Sequence, residues 1–357
     1  MGIIFLVTII LGMLLSIPFM GMGYQAFEDP NDLRIPVIYI VFILIFSGAV
    51  LFLAKKKKLG IIQGLVLFAS GMTLMYVMVI PYTYMLEMMF DASYITYHND
   101  AFGYLLLFMS IGTAAVLTYI LYKYPEWYIV DSIGIIVGAG IIAILGISLG
   151  ILPLFILMIA LAIYDAISVY KTKHMIDLAD AVTEKHLPVV MVVPKIKNYS
   201  LKNQKSLKKS LKDGGKREAM FMGLGDIVFP GCLVVSAMTF LGREIIERGE
   251  VIGMEPTLAS FGVAISTLIG SLVGYAILMK FVMKGRPQAG LPLLNSGAIL
   301  GFAVGYFLIF QAFLSAINIT PFLNFNPTVV VPLPTATLAY STWNNLPSGE
   351  NTVIALS

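Results

Sequence analysis

The sequence predicts an all-α polytopic membrane protein with nine transmembrane helices, and three observations carry that prediction. Of its 357 residues 59% are apolar and only 12% charged, where a soluble domain has about one-quarter charged residues. Nine apolar runs stand out along the chain, each near the ~20 residues that a helix needs to cross the hydrocarbon core. The basic residues then fall almost entirely on one side of the topology that these runs define, as expected of a multi-span protein.

The runs lie at about 2–22, 35–54, 60–82, 101–122, 127–147, 149–170, 219–241, 257–281 and 290–314. The first has no basic stretch before it and no small-residue cleavage site after it, so it reads as a helix and not as a secretion signal. The fifth and sixth are separated only by a join around Gly146 to Gly150. The lone cysteine, Cys232, lies inside the seventh run, which excludes a disulfide framework.

Nine spans put the termini on opposite sides. With the N-terminus cytoplasmic, inner segments hold Lys55 to Lys58, Lys123, twelve basic residues from Lys171 to Arg217, and Lys280, Lys284 and Arg286, which is 20 of 23. Only Arg34, Arg243 and Arg248 are left outside, among most of the acidic residues. The expected location is the cell membrane, with the N-terminus in and the C-terminus out. The chain divides into a six-helix part (1–170), a basic cytoplasmic loop (171–218), a three-helix part (219–315) and a polar extracytoplasmic tail (316–357). Within the loop, Leu187 to Pro194 is β-prone and bounded by prolines, which predicts a strand. The tail has no basic residues and reads as disordered. Asn318-Ile319-Thr320 in it fits a glycosylation pattern. Glycines four apart, at Gly134 and Gly138, Gly146 and Gly150, Gly270 and Gly274, and Gly297, Gly301 and Gly305, read as helix-packing faces.

Three carboxylates fall inside spans: Asp131, Asp165 and Asp226. Each costs at least about 2.5 kcal/mol there, so each needs a partner or a function. Asp131 lies four residues from Trp127, at the interface, where its side chain would reach water. Asp165 is about five residues from the inner end of the sixth span and Asp226 about seven from the inner start of the seventh, so both sit roughly 8 to 10 Å deep at ~1.5 Å per residue. Carboxylates at one depth on consecutive spans can face each other. Such a pair holds one proton between its members. The ionised member can then deprotonate an attacking water while the protonated one donates to a scissile carbonyl. The competing reading, from a different class, is an ion channel or transporter that uses the same aspartates for cations or protons.

Tyr164 precedes Asp165, and Asp226 ends Gly223-Leu224-Gly225-Asp226. In consecutive spans and in this order they resemble the Tyr-Asp and Gly-x-Gly-Asp signatures of the presenilin and signal peptide peptidase families. A third motif of those families, Pro-Ala-Leu at the start of the ninth span, has its counterpart between Ala289 and Leu294. Two registers fit. Ala289-Gly290-Leu291-Pro292 keeps the presenilin Leu-Pro, and Pro292-Leu293-Leu294 keeps the first proline; the small Gly290 favours the former. The resemblance covers residues 1 to about 315 and implies a presenilin-like fold and an intramembrane aspartyl endopeptidase. It makes Asp165 and Asp226 catalytic, supported by Tyr164, Gly223, Leu224, Gly225 and Ala289 to Leu294. It also implies a strand between the sixth and seventh helices, which makes Val189 to Val193 a candidate for docking extended substrate. No metal or cofactor is expected. The expected partners are single-span membrane-protein substrates and the lipid bilayer, not nucleic acid, and a homo-oligomer is compatible with the chain.

Other protease chemistries fit poorly. There is no His-Glu-x-x-His motif, and His98, His174 and His186 are scattered in or near loops. Gly146-Ile147-Ser148-Leu149-Gly150 matches Gly-x-Ser-x-Gly but lacks the strand-turn-helix setting that motif requires. Signal peptide peptidases share the motifs in the opposite orientation, against the 20-to-3 charge split, and prepilin-type peptidases lack the Tyr-Asp and proline motifs.

Overall fold

The architecture is that of a computed structural model, which describes residues 1–56, 58–90, 99–172, 190–194, 219–247, 256–283 and 289–316. These residues contain nine α-helices: α1 (Gly2–Gly21), α2 (Arg34–Lys55), α3 (Leu59–Met89), α4 (Asn99–Lys123), α5 (Trp127–Ser148), α6 (Ile151–Ile167), α7 (Leu224–Glu247), α8 (Pro256–Met283) and α9 (Gly290–Ala316). Eight are long and apolar enough to cross a membrane, and α2 is a shorter apolar stretch over Arg34–Val50 that continues as helix to Lys55. The described fold is therefore the mostly helical, nine-helix membrane architecture that the apolar runs predict.

Helix boundaries depart from the sequence reading where polar backbone has to be satisfied. The join between α5 and α6 is a real break at Leu149 and Gly150. The Gly150 N–H donates to the Pro30 carbonyl at 2.8 Å, and the Leu149 carbonyl accepts from Ser236 Oγ at 2.9 Å. α6 ends in a π-turn, Ser168–Thr172. The seventh span starts five residues later than expected, because Ala219–Gly223 is a strand, β2, paired antiparallel with β1, Val190–Pro194. The strand expected between Leu187 and Pro194 is thus present over its described part. The rest of the 171–218 loop, the 316–357 tail beyond Ala316, the three histidines, Lys284 and Arg286 lie outside the described residues.

α5 and α7 form the centre: 61% of the α5 span and 72% of the α7 span is buried, against 22% and 17% for α3 and α4 at the lipid-facing margin. Small residues set the approach. A Cβ on Gly12 of α1 would lie 2.6 Å from Ile142 of α5, and one on Gly146 of α5 would lie 2.5 Å from Val235 of α7. In α8 on α9 the approach is backbone to backbone: a Cβ on Gly270 would lie 2.6 Å from the Gly301 Cα and one on Gly274 would lie 2.6 Å from the Leu293 carbonyl. In lipid, where apolar side chains gain little by meeting each other, such backbone contact is what drives helix association. Facing pairs such as Asp165 with Leu291 and Met158 with Asn295 run α6 antiparallel to α9. The end of α6, the start of α7 and the start of α9 therefore converge at one end of the bundle, beside the β1–β2 hairpin.

Candidate active site

The first wall of the site is the strand-to-helix turn Gly223-Leu224-Gly225-Asp226. Gly223 is the last residue of β2 and Leu224 the first of α7, so Gly223 takes the N-cap place and Asp226 the third helical position. Glycine is well accepted as an N-cap, and an acidic side chain at the third position can reach back to the N-cap N–H, as in one half of a capping box. The carboxylate does so: it accepts from the Gly223 N–H. It lies in the first turn of α7, where the helix dipole favours negative charge. Leu224 is buried and packs on α5, since a Cβ on Gly138 would lie 2.9 Å from its Cδ1. Gly225 is exposed, with only Phe229 near its Cβ position.

The second wall is Asp165, 5% exposed, near the end of α6. Its partners are the free N–H groups that any helix start leaves without an internal acceptor. The Leu291 N–H donates to Asp165 Oδ2 at 3.2 Å, and the Gly290 N–H also donates to this carboxylate. Pro292 sits in the same first turn, where its missing N–H costs nothing, and α9 is helical from Gly290 onward.

Gly290 joins the two walls. A Cβ there would fall 2.7 Å from Asp226 Oδ2 and 3.0 Å from its Cγ, so the glycine backbone lies directly against the carboxylate. Gly290 and Leu291 thus contact both aspartates, which are close enough to interact electrostatically. The backbone that approaches Asp226 is Gly290 of α9.

The remaining candidates spread outward from this centre. Ala289 is buried, and its N–H donates to the Tyr170 hydroxyl at 3.4 Å. Leu294 is wholly buried in the core, and the Leu293 carbonyl lies against Gly274 of α8; both serve packing in the first turns of α9. Tyr164 is half-buried next to Asp165 in the chain. Leu291 is half-buried, and Pro292 lines a groove of about 280 Å³ between α6 and α9, together with Met158, Ala162 and Asn295.

Two residues that sequence reasoning passed over belong to this frame. Asn295 is 1% exposed and donates through Nδ2 to the Met158 carbonyl at 2.9 Å, clamping α9 to α6. An amide inside an apolar span was the available signal. Tyr170 gave none. Asp131 was misplaced by the sequence reading: it is 6% exposed, not water-facing, and its Oδ1 accepts from the Val192 N–H of β1 at 2.8 Å. Ser148 is structural, accepting from the Ala26 N–H at 2.8 Å and donating to the Ile144 carbonyl. Among the described residues no cluster of His, Cys, Asp and Glu could hold a metal ion.

The family model described as signal-peptide peptidase, presenilin aspartyl protease matches residues 1–312. No curated protein matches the chain. Among solved structures, a presenilin family intramembrane aspartate protease in space group P2 is 32% identical, with 86% of this chain and 96% of that chain covered and a TM-score of 0.55. A second structure of the same description, in space group C222, is 30% identical over 86% and 97% of the two chains, with a TM-score of 0.54.

Proposed function

Because the chain belongs to the signal-peptide peptidase and presenilin family of aspartyl proteases, we propose that Asp165 and Asp226 are the catalytic pair with which this intramembrane aspartyl protease hydrolyses peptide bonds. One observation carries the assignment: the two carboxylates meet adjacent residues at one helix start, Asp226 against Gly290 and Asp165 accepting from the Leu291 N–H. Aspartates meant for a conducting path would have no reason to converge on one helix start.

The chemistry follows from two carboxylates sharing one proton. The ionised member takes a proton from water as its oxygen attacks the scissile carbonyl carbon. The protonated member gives its proton to the carbonyl oxygen, forming a gem-diol. On collapse, the second carboxylate takes back a proton from a gem-diol hydroxyl as the C=O re-forms and the C–N bond breaks, and the amine leaves with a proton from the carboxyl that received one from water. Ala289-Gly290-Leu291-Pro292 is the working register of the third motif, supported by Gly290 on Asp226 and Leu291 on Asp165. Gly223, Leu224, Tyr164 and the α9 start act as support. Both aspartates come from one chain, so a second copy is not required.

Substrates are single-span membrane proteins, and the N-terminus is cytoplasmic, as the basic residues require. A helical substrate must be unwound before its amide can be attacked, and strand addition would compensate the lost hydrogen bonds. The docking strand first considered was Val189 to Val193, of which Val189 lies outside the described residues. In β1, alternate residues face β2, and the Val192 N–H is taken by Asp131. The open edge is therefore that of β2. Val192 pairs with Phe221, and in an antiparallel ladder alternation turns the Phe221 N–H and C=O away from β1. Substrate docks there in this reading.

The test uses the purified chain in detergent with a single-span peptide. Asp165→Asn and Asp226→Asn should each remove cleavage while leaving the melting transition in place. Cleavage surviving in either one would eliminate the dyad.

A further inference from the structure

The β1–β2 hairpin is held from an unexpected quarter. Its two strands pair over five residue pairs, from Val190 with Gly223 to Pro194 with Ala219. The register makes Met191 with Met222 and Val193 with Met220 the hydrogen-bonded pairs, because the Val192 N–H points the other way, to Asp131 Oδ1 at 2.8 Å. Asp131 is 61 residues distant in sequence, on α5, and is 6% exposed. Met191 and Val192 are 0% and 2% exposed, so this edge of the hairpin is sealed in protein.

A buried carboxylate that bonds a buried strand N–H does two things. It satisfies a backbone donor that would otherwise be orphaned. It also ties the hairpin to α5, one of the two most buried helices. The hairpin runs directly into the site, since Phe221, the partner of Val192, is two residues before Gly223 and five before Asp226. A hairpin free to slide or tilt on α5 would move the start of α7 and any strand added to the edge of β2.

We propose that Asp131 is a positioning residue of the protease: through the Val192 N–H it locks the hairpin in one register on α5, and thereby sets which peptide bond of the substrate strand is presented to the aspartates. The inference rests on the aspartyl protease reading given above. It assigns Asp131 the role of a hydrogen-bond acceptor, not of a proton carrier.

The test compares Asp131→Asn, Asp131→Leu and Val192→Pro in the full chain, reading hydrogen exchange of residues 190–194, KM and kcat, and the masses of cleavage products. Asp131→Asn keeps an acceptor oxygen and should retain the wild-type exchange, KM within about threefold, and one dominant product. Asp131→Leu and Val192→Pro remove the two ends of the same bond. Both should speed exchange across β1, raise KM about tenfold or more, and scatter the cleavage positions. The double variant should be no worse than the more affected single variant. Slow exchange and an unchanged product set in Asp131→Leu would overturn the proposal, and so would equal damage in Asp131→Asn. If Asp131→Leu does not fold, Val192→Pro carries the same expectations without touching α5. Exchange needs no turnover, so a failed lock is distinguishable from a failed dyad, which shows as cleavage persisting in Asp165→Asn or Asp226→Asn.

Discussion

Gly290 lies directly against the catalytic candidate Asp226. Its missing side chain leaves room for Asp226, since an added Cβ would fall 2.7 Å from Oδ2. Gly290→Val is expected to push that carboxylate aside and lower kcat about tenfold or more, with the melting temperature little changed, because the displaced group is a side-chain end; peptide cleavage assays and thermal unfolding check this together. Tyr170 tests the other side of the segment. Its hydroxyl receives the Ala289 N–H over 3.4 Å and its side chain is 57% exposed, and a neutral bond is worth only about 0.5 to 1.5 kcal/mol net. Tyr170→Phe should therefore reduce kcat/KM by no more than about tenfold. The two aspartates were legible in the sequence because a charge in an apolar span is anomalous whatever surrounds it. Asp131 was equally visible and wrongly placed, since distance from a span end measures depth in the membrane and says nothing about which neighbour covers the side chain.

At the scale of elements, the start of the seventh span shows how an apolar stretch can take a structure other than the one its hydropathy suggests. Ala219 to Gly223 is apolar enough to extend a helix, yet it forms β2 because β1 offers a paired edge; partner availability, not local propensity, decides a short apolar segment. The hairpin geometry separates docking from folding. Phe221→Pro removes an N–H that points away from β1 and leaves the ladder bonds of Met220 and Met222 intact, and proline is tolerated on edge strands. It should raise KM for a membrane-span peptide with little change in melting temperature, whereas an unchanged KM would rule out docking on β2. The α8–α9 contact tests the glycine spacing. Gly270→Leu would drive a side chain into the α9 backbone, where a Cβ alone comes within 2.6 Å of the Gly301 Cα. Overpacking of this kind costs about 1 to 3 kcal/mol or more, so the variant should melt at a lower temperature, as measured by thermal unfolding in detergent.

For the molecule as a whole, the family match ends at residue 312 and the last described helix at Ala316. A chain ended at Ala316 is expected to keep its melting temperature and its cleavage of a single-span peptide; loss of either would show that 317–357 contributes to the fold or the site. What the sequence determined by itself is the membrane class, the nine helices, the pair of catalytic candidates and the candidate third motif. The membrane class, the helices and the anomalous aspartates are properties of composition, period and spacing, readable because each polar residue in a span must justify its cost; the third motif came from the family resemblance. What the tertiary structure alone decided is who meets whom. Gly290, from a helix 64 residues further along the chain, lies against Asp226, Asp165 accepts from the Leu291 N–H at the start of α9, and Asp131 holds a strand from 61 residues away. Those pairings depend on helix rotation and lateral packing, which one-dimensional hydropathy does not encode.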